Sequence, residues 1–163
     1  MHYKVPMRIY LLLSIGLVLL NISLYRAILF PSTLIRTAVV GKGMTTIIRT
    51  THGKTLLIDT GSDAGVLRAI GTTLPMWERH LDGVILTGDD SKSRGGLPEL
   101  AERYQFPEPL RYGVRGAPSY GTPVVFDGDT RITVIAPHTY TVSYGATTLA
   151  FSSSTPERTL RVK

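Results

Sequence analysis

The sequence contains no cysteine. This absence excludes disulfide bonds, thiolate metal ligands and a cysteine nucleophile, and it suits a protein that is exported from the cytoplasm. Basic residues are in excess, with a formal net charge of +6, but they are scattered singly along the chain. Because no cluster of lysine and arginine stands out, the composition predicts at most a weak attraction to the backbone of DNA.

Charge is also missing from a long stretch near the amino terminus. No charged side chain occurs from Ile9 to Tyr25, and the apolar run continues beyond Arg26. A run of this length can cross about 30 Å of hydrocarbon, and it lacks the small-residue cleavage site of a signal peptide. We therefore expect a transmembrane helix over residues 9–30, preceded by an N-terminal tail of residues 1–8, in a single-pass protein of the cell membrane.

The remainder of the chain combines short β-rich segments with helical ones, as in one domain of the α/β (α+β) class over residues 34–152. A tail, 153–163, follows it. Within the domain, Trp77 is expected to pack under the first helix. The patterns predict strands at 34–40, 44–50, 54–59, 84–86 and around 110–114, helices at 64–74 and 97–104, and two hairpins that turn at Asp127–Gly128 and Gly145–Ala146.

The segment from Leu81 to Leu97 is the most informative part of the domain. It reads as a buried strand, then the polar loop Thr87–Arg94, and then a glycine pair that opens a helix. Open α/β sheets bind their ligands in loops at the carboxyl ends of such strands. Any chemistry is therefore expected in this loop.

Asp59 is a second candidate, because Asp59-Thr-Gly61 follows an apolar strand as in the aspartic-protease signature. In that class two such carboxylates share a proton across a dimer. The two helical segments that follow argue against a retroviral-type protease, whose chain is almost all β. The other interpretation is a structural carboxylate that accepts hydrogen bonds from the nearby loop.

The four histidines stand far apart in the sequence, at His2, His52, His80 and His138. None of them shows the short spacing to another ligand that zinc sites have. We expect all four to be surface residues.

Four segments together resemble, in order and spacing, the metallo-β-lactamase-fold domain of the ComEC-type DNA-uptake channel proteins. They are Val40–Met44, Gly53–Gly61, Leu81–Leu97 and Phe126–Asp129. The corresponding family patterns are V-G-Q-G-D, a hairpin ending in L-I-D-T/G-G, and L-T-H-x-D-x-D-H-x-G-G-L. The resemblance covers roughly residues 35–151. It implies a shortened αββα sandwich outside the cytoplasmic membrane, with other proteins of the uptake machinery among its partners.

The resemblance also implies that the metal motif is degenerate. Gly88 and Ser93 stand at its two histidine positions, Lys92 stands at an aspartate position, and Asp90 is the one remaining ligand candidate. Asp59 is retained. A catalytic zinc requires about three protein ligands, which one carboxylate cannot replace. We therefore expect no metal and no other cofactor, and we expect Lys92 and Arg94 to neutralise the acidic side chains of the loop.

These observations favour a membrane-anchored, non-catalytic protein, that is, a pseudoenzyme related to DNA-uptake proteins. Two alternatives stay open. One is a metal-dependent hydrolase or nuclease, using zinc or manganese, whose missing ligands come from another chain. The other is an aspartic-type protease dimer that uses Asp59. The expected partners are the membrane and either the DNA backbone or proteins of the uptake machinery.

Overall fold

The computed structural model describes residues 7–29, 33–152 and 157–162. The chain divides into two compact units, Met1–Pro31 and Ser32–Lys163. Helix α1 (Met7–Leu29) lies in the first unit, and all of the strands described lie in the second.

Helix α1 occupies the segment in which we expected a transmembrane helix. Within the ranges described, no helix has both the length and the apolar character that a membrane crossing requires. The transmembrane prediction for residues 9–30 is therefore wrong. Polar Ser14 and Asn21 lie within the apolar run, and the Asn21 side chain donates to the carbonyl of Leu17 at 2.9 Å.

A six-stranded sheet forms the middle of the second unit. Its strands are β1 (Thr33–Val40), β2 (Gly43–Arg49), β3 (Thr55–Ile58), β4 (Gly83–Leu86), β5 (Leu110–Arg111) and β10 (Arg158–Val162). They lie in the order β10-β1-β2-β3-β4-β5. Neighbours from β10 to β3 are antiparallel, whereas β3, β4 and β5 run parallel, so that β3 and β4 end at the same edge.

Three short helices follow the parallel strands: α2 (Gly65–Gly71) after β3, and α3 (Ser91–Arg94) and α4 (Leu97–Arg103) after β4. Apolar residues of α2 and α4 share one core cluster with one face of the sheet, among them Ile70, Leu100 and Leu57. These helices thereby cover that face and leave the polar loops at the carboxyl ends of β3 and β4 free to form a site.

A second, antiparallel sheet covers the other face. Its strands are β6 (Pro123–Asp127), β7 (Thr130–Ala136), β8 (Thr139–Tyr144) and β9 (Thr147–Ser152), and they lie in the order β6-β7-β8-β9. Side chains from both sheets form one apolar cluster, within which the hydroxyl of Tyr140 donates to the hydroxyl of Thr46. In the described part of this unit, helices cover one face of the first sheet and the second sheet covers the other face, which is an αββ arrangement. The second helix layer of the expected αββα sandwich is not among the residues described.

The predicted strands and helices of the domain are confirmed within a few residues, but three details differ. Helix α3 lies within the segment Thr87–Arg94 that was expected to be a loop. The expected tail contains β10, which pairs with β1 from Thr33↔Val162 to Thr37↔Arg158. This pairing satisfies backbone groups that β1 would otherwise expose at the sheet edge. Trp77 does not pack under helix α2, since it is 82% exposed.

Candidate functional site

The candidate site lies where β3 and β4 end side by side. Asp59 directly follows β3 and Thr87 directly follows β4, and the parallel pairing places them at one edge of the sheet. The loop before α3 and the turn between β7 and β8 supply the remaining polar groups. Both sheets therefore contribute to the site.

Asp59 is the buried carboxylate of this site, with 3% of its surface exposed. Its Oδ1 accepts the backbone N–H of Thr87 at 2.8 Å, and its Oδ2 accepts the Thr87 hydroxyl at 2.6 Å. Its backbone has a φ of 56°, in the left-handed region that few residues other than glycine adopt. The Thr45 hydroxyl donates to the Asp59 carbonyl at 2.6 Å, so hydrogen bonds hold both the backbone and the side chain.

Burial raises the pKa of Asp59 to about 6, although hydrogen bonds from Thr87 and Ser93 and the nearby His138 act in the opposite direction. Desolvation disfavours the charged form of a carboxyl group, whereas donors favour it. Asp59 therefore changes protonation state near neutral pH. As the candidate for an aspartic-type protease it is poorly placed, because both oxygens are engaged inside the protein.

Asp90 begins helix α3. Its Oδ1 accepts the backbone N–H of Ser93 at 3.0 Å, and its Oδ2 lies 2.8 Å from Nε2 of His138. Burial acts to raise the pKa of Asp90, but the hydrogen bonds from His138 and from the Ser93 backbone outweigh it and hold the pKa below its ordinary value. The neighbouring Asp89 pairs with Arg94 at 2.8 Å, as the sequence predicted.

His138 is the residue that joins these groups. Its side chain is 22% exposed, and its hydrogen bonds to the loop were not predicted from the sequence. Its Nδ1 lies 3.3 Å from Oγ of Ser93, and its backbone N–H donates to the Thr87 hydroxyl at 3.0 Å. A continuous hydrogen-bonded network therefore runs from Asp90 through His138, Ser93 and Thr87 to Asp59. His138 follows Pro137 in the tight β7–β8 turn, but only the stacking of the two sheets brings that turn to the loop.

Ser93, His138 and Asp90 are the residue types of a nucleophilic triad, but the serine is not accessible to a substrate. Ser93 is fully buried, at 0% exposed. Catalytic serines of this kind are presented to substrate on a sharp turn, beside donors for the developing oxyanion. In this geometry the three side chains stabilise the loop and cannot attack a substrate.

The residues present do not fit a catalytic metal. In the described parts of the chain, no group of three or more histidine, aspartate or glutamate side chains could hold one. Gly88 and Ser93 offer no ligand of the required kind, and the carboxylates of Asp59 and Asp90 already accept hydrogen bonds. Lys92, which we expected to pair with the acids, instead lines the cavity beside Asp59, and His138 takes the place beside Asp90.

That cavity has a volume of about 260 Å³. Two lysines, Lys42 and Lys92, border it together with Asp59 and His138. The turn between β1 and β2 lies close against helix α3, because a side chain added at Gly43 would come within 2.4 Å of the Lys92 carbonyl oxygen. This close approach brings the two lysines to the same cavity.

No protein-family model, curated protein or solved structure matches this chain. The resemblance to the DNA-uptake family therefore stays a prediction that rests on the sequence motifs.

Proposed function

We propose that the chain carries a non-catalytic metallo-β-lactamase-like domain, related to DNA-uptake proteins, that acts by binding. The observation that supports this proposal is the network from Asp90 through His138 to Ser93 and Thr87. It uses polar groups at the positions where the resemblance would place metal ligands, and it leaves none of them arranged for chemistry.

The energetics favour the metal-free state. Structural zinc sites gain on the order of 10 kcal/mol from a complete set of ligands. Here an added dication would have to break the contacts of Asp90 with His138 and Ser93, and it would meet the positive charge of Lys92 nearby. Too few donors remain to compensate for the dehydration of the ion.

The partner that we propose is DNA, held through its phosphate backbone. The net charge of +6 attracts a polyanion, and the single, dispersed basic residues favour weak and salt-sensitive contacts over the reading of bases.

One observation favours a second candidate function. The Asp90 side chain is 52% exposed, so a metal held mainly by ligands from another chain could reach it. That arrangement would make the domain half of a metal-dependent hydrolase or nuclease.

Metal analysis of the purified full chain separates the two functions. We expect no stoichiometric zinc or manganese, an unchanged melting temperature in a chelator, and no hydrolysis of a phosphodiester substrate with or without added metal. Stoichiometric metal that disappears, together with phosphodiesterase activity, in the Asp90→Ala variant would refute the non-catalytic proposal.

A further inference from the structure

The cavity between the β1–β2 turn and helix α3 has a surplus of positive charge. Lys42 and Lys92 are both exposed side chains at its border. The acids of the adjacent loop already have partners, since Asp89 pairs with Arg94 and Asp90 lies 2.8 Å from Nε2 of His138. Among the ion pairs of the described residues, none involves either lysine.

Two cations that border one cavity without forming an ion pair repel each other, and an anion placed between them removes that repulsion. The backbone places both residues at this cavity, because Gly43 allows the β1–β2 turn to contact the Lys92 backbone. The fold therefore brings the two lysine-bearing segments together.

The size of the cavity limits the anion that it can hold. Sites for drug-sized ligands have volumes of roughly 300–1,000 Å³. At about 260 Å³, this cavity suits a single small charged group better than a whole nucleotide. Such a group can be the end of a longer molecule that continues into solvent.

Asp59 also lines the cavity, and its carboxylate limits which anions can bind there. A carboxylate repels an anion that has only acceptor oxygens. A phosphate monoester differs, since near neutral pH a fraction of it retains a P–OH group that can donate a hydrogen bond to a carboxylate. Lysine is a common partner for the remaining phosphate oxygens.

We propose that this cavity binds a phosphate monoester group, with Lys42 and Lys92 as its cationic partners. The inference deepens the binding role proposed above and rests on it. The group can come from two sources, a free small phosphate or the terminal phosphate of a DNA strand.

The test is calorimetric titration of the full chain with three probes: inorganic phosphate, a short 5′-phosphorylated oligothymidylate and the same oligonucleotide without the phosphate. Variants Lys42→Gln and Lys92→Gln remove one cation each. Lys54→Gln is the matched control, because Lys54 is an exposed lysine that lies 3.8 Å from Asp127 and does not line this cavity.

We expect each cavity variant to raise the dissociation constant of a phosphate-bearing probe about tenfold, as for the loss of one charge-assisted contact, while Lys54→Gln changes it less than twofold. Tighter binding of the 5′-phosphorylated strand than of its unphosphorylated form assigns the phosphate to a DNA end. Equal binding of the two strands, with lysine-dependent binding of inorganic phosphate, assigns it to a small molecule.

Equal losses in all three variants would show a diffuse electrostatic attraction and overturn the inference, as would the absence of phosphate binding. Melting temperatures equal to that of the unmodified chain establish that the variants are folded. The outcome for the proposed function is read separately. Hydrolysis of the strand with a bound metal would refute the non-catalytic role, and failure to bind either strand at low salt would refute DNA as the partner.

Discussion

At Asp59, burial and hydrogen bonding act in opposite directions on the charge of a single carboxyl group. Burial disfavours its charge, and two hydrogen bonds from Thr87 restore part of the lost solvation. Its left-handed backbone adds strain of order 1–3 kcal/mol, which persists only where the surroundings fix it. The hydrogen bonds between Asp59 and Thr87 join the end of β3 to the end of β4.

The raised pKa of Asp59 predicts a particular dependence of stability on pH. The folded protein binds this proton more tightly than the unfolded chain does, because the pKa rises from 3.8 to about 6. The stabilisation is therefore complete below pH 3.8 and is lost as the pH rises through about 6. A shift of this size corresponds to roughly 3 kcal/mol in the free energy of unfolding.

The Asp59→Asn variant should flatten that slope, since it carries no titrating group at this position. Denaturant unfolding from about pH 4 to about pH 8 measures the effect in both proteins. Asp90 contributes with the opposite sign, because its lowered pKa gives stability that is lost as the pH falls, so the comparison of the two proteins isolates Asp59. An unchanged slope in Asp59→Asn would assign the pH dependence to another group.

At the scale of elements, the sequence predicts what local patterns determine. The alternating and apolar runs of β1 to β4 and of the two hairpins predict those strands, and the glycine pair before Leu97 predicts the start of α4. Helix-period spacing likewise predicts α2. These features depend on neighbours along the chain, and periodicity therefore reveals them.

Contacts between distant segments are not visible in such patterns. The pairing of β10 with β1 joins positions more than a hundred residues apart, and His138 reaches Asp90 only because the second sheet stacks on the first. Asp59 and Asp90 were candidates from sequence alone, but the residue that connects them was not. The spacing of histidines could not predict it, because its partners are not other histidines.

The close contact between the β1–β2 turn and helix α3 should make a substitution at Gly43 destabilising. In Gly43→Ala the new Cβ would lie 2.4 Å from the Lys92 carbonyl oxygen, so the backbone must move. We expect a loss of about 1–3 kcal/mol in the free energy of unfolding, by analogy with overpacked sites.

Gly71→Ala is the matched control for that substitution. Gly71 ends helix α2, a Cβ added there would meet no atom within 4 Å, and alanine is the better helix former. It should leave stability unchanged or raise it slightly. Chemical denaturation of both variants measures the difference, and equal effects at the two positions would show that the close contact at Gly43 is unimportant.

At the scale of the whole molecule, the site depends on the packing of one sheet against the other. Asp59 and Thr87 belong to the first sheet, whereas His138 belongs to the turn of the second, and one network joins them. The apolar cluster between the two sheets holds them against each other. The phosphate cavity and the Asp90 network therefore form only when both sheets are folded.

This dependence predicts that residues 33–162 unfold as one cooperative unit, and Tyr140 tests it. Its hydroxyl donates to Thr46 across the sheets, and its ring stacks on Phe151 at 5.5 Å. Tyr140→Phe keeps the stacking but deprives the buried Thr46 hydroxyl of this donor, which should cost about 1–2 kcal/mol. If the sheets are coupled, hydrogen exchange of the most protected amides in β2 and β8 should accelerate by the same factor, roughly 5- to 30-fold.

The control is Tyr144→Phe, on the same strand but less buried, which should change neither the free energy of unfolding nor the exchange rates. Acceleration confined to β8 would mean that the second sheet opens on its own, and the site would then be lost without unfolding of the first sheet.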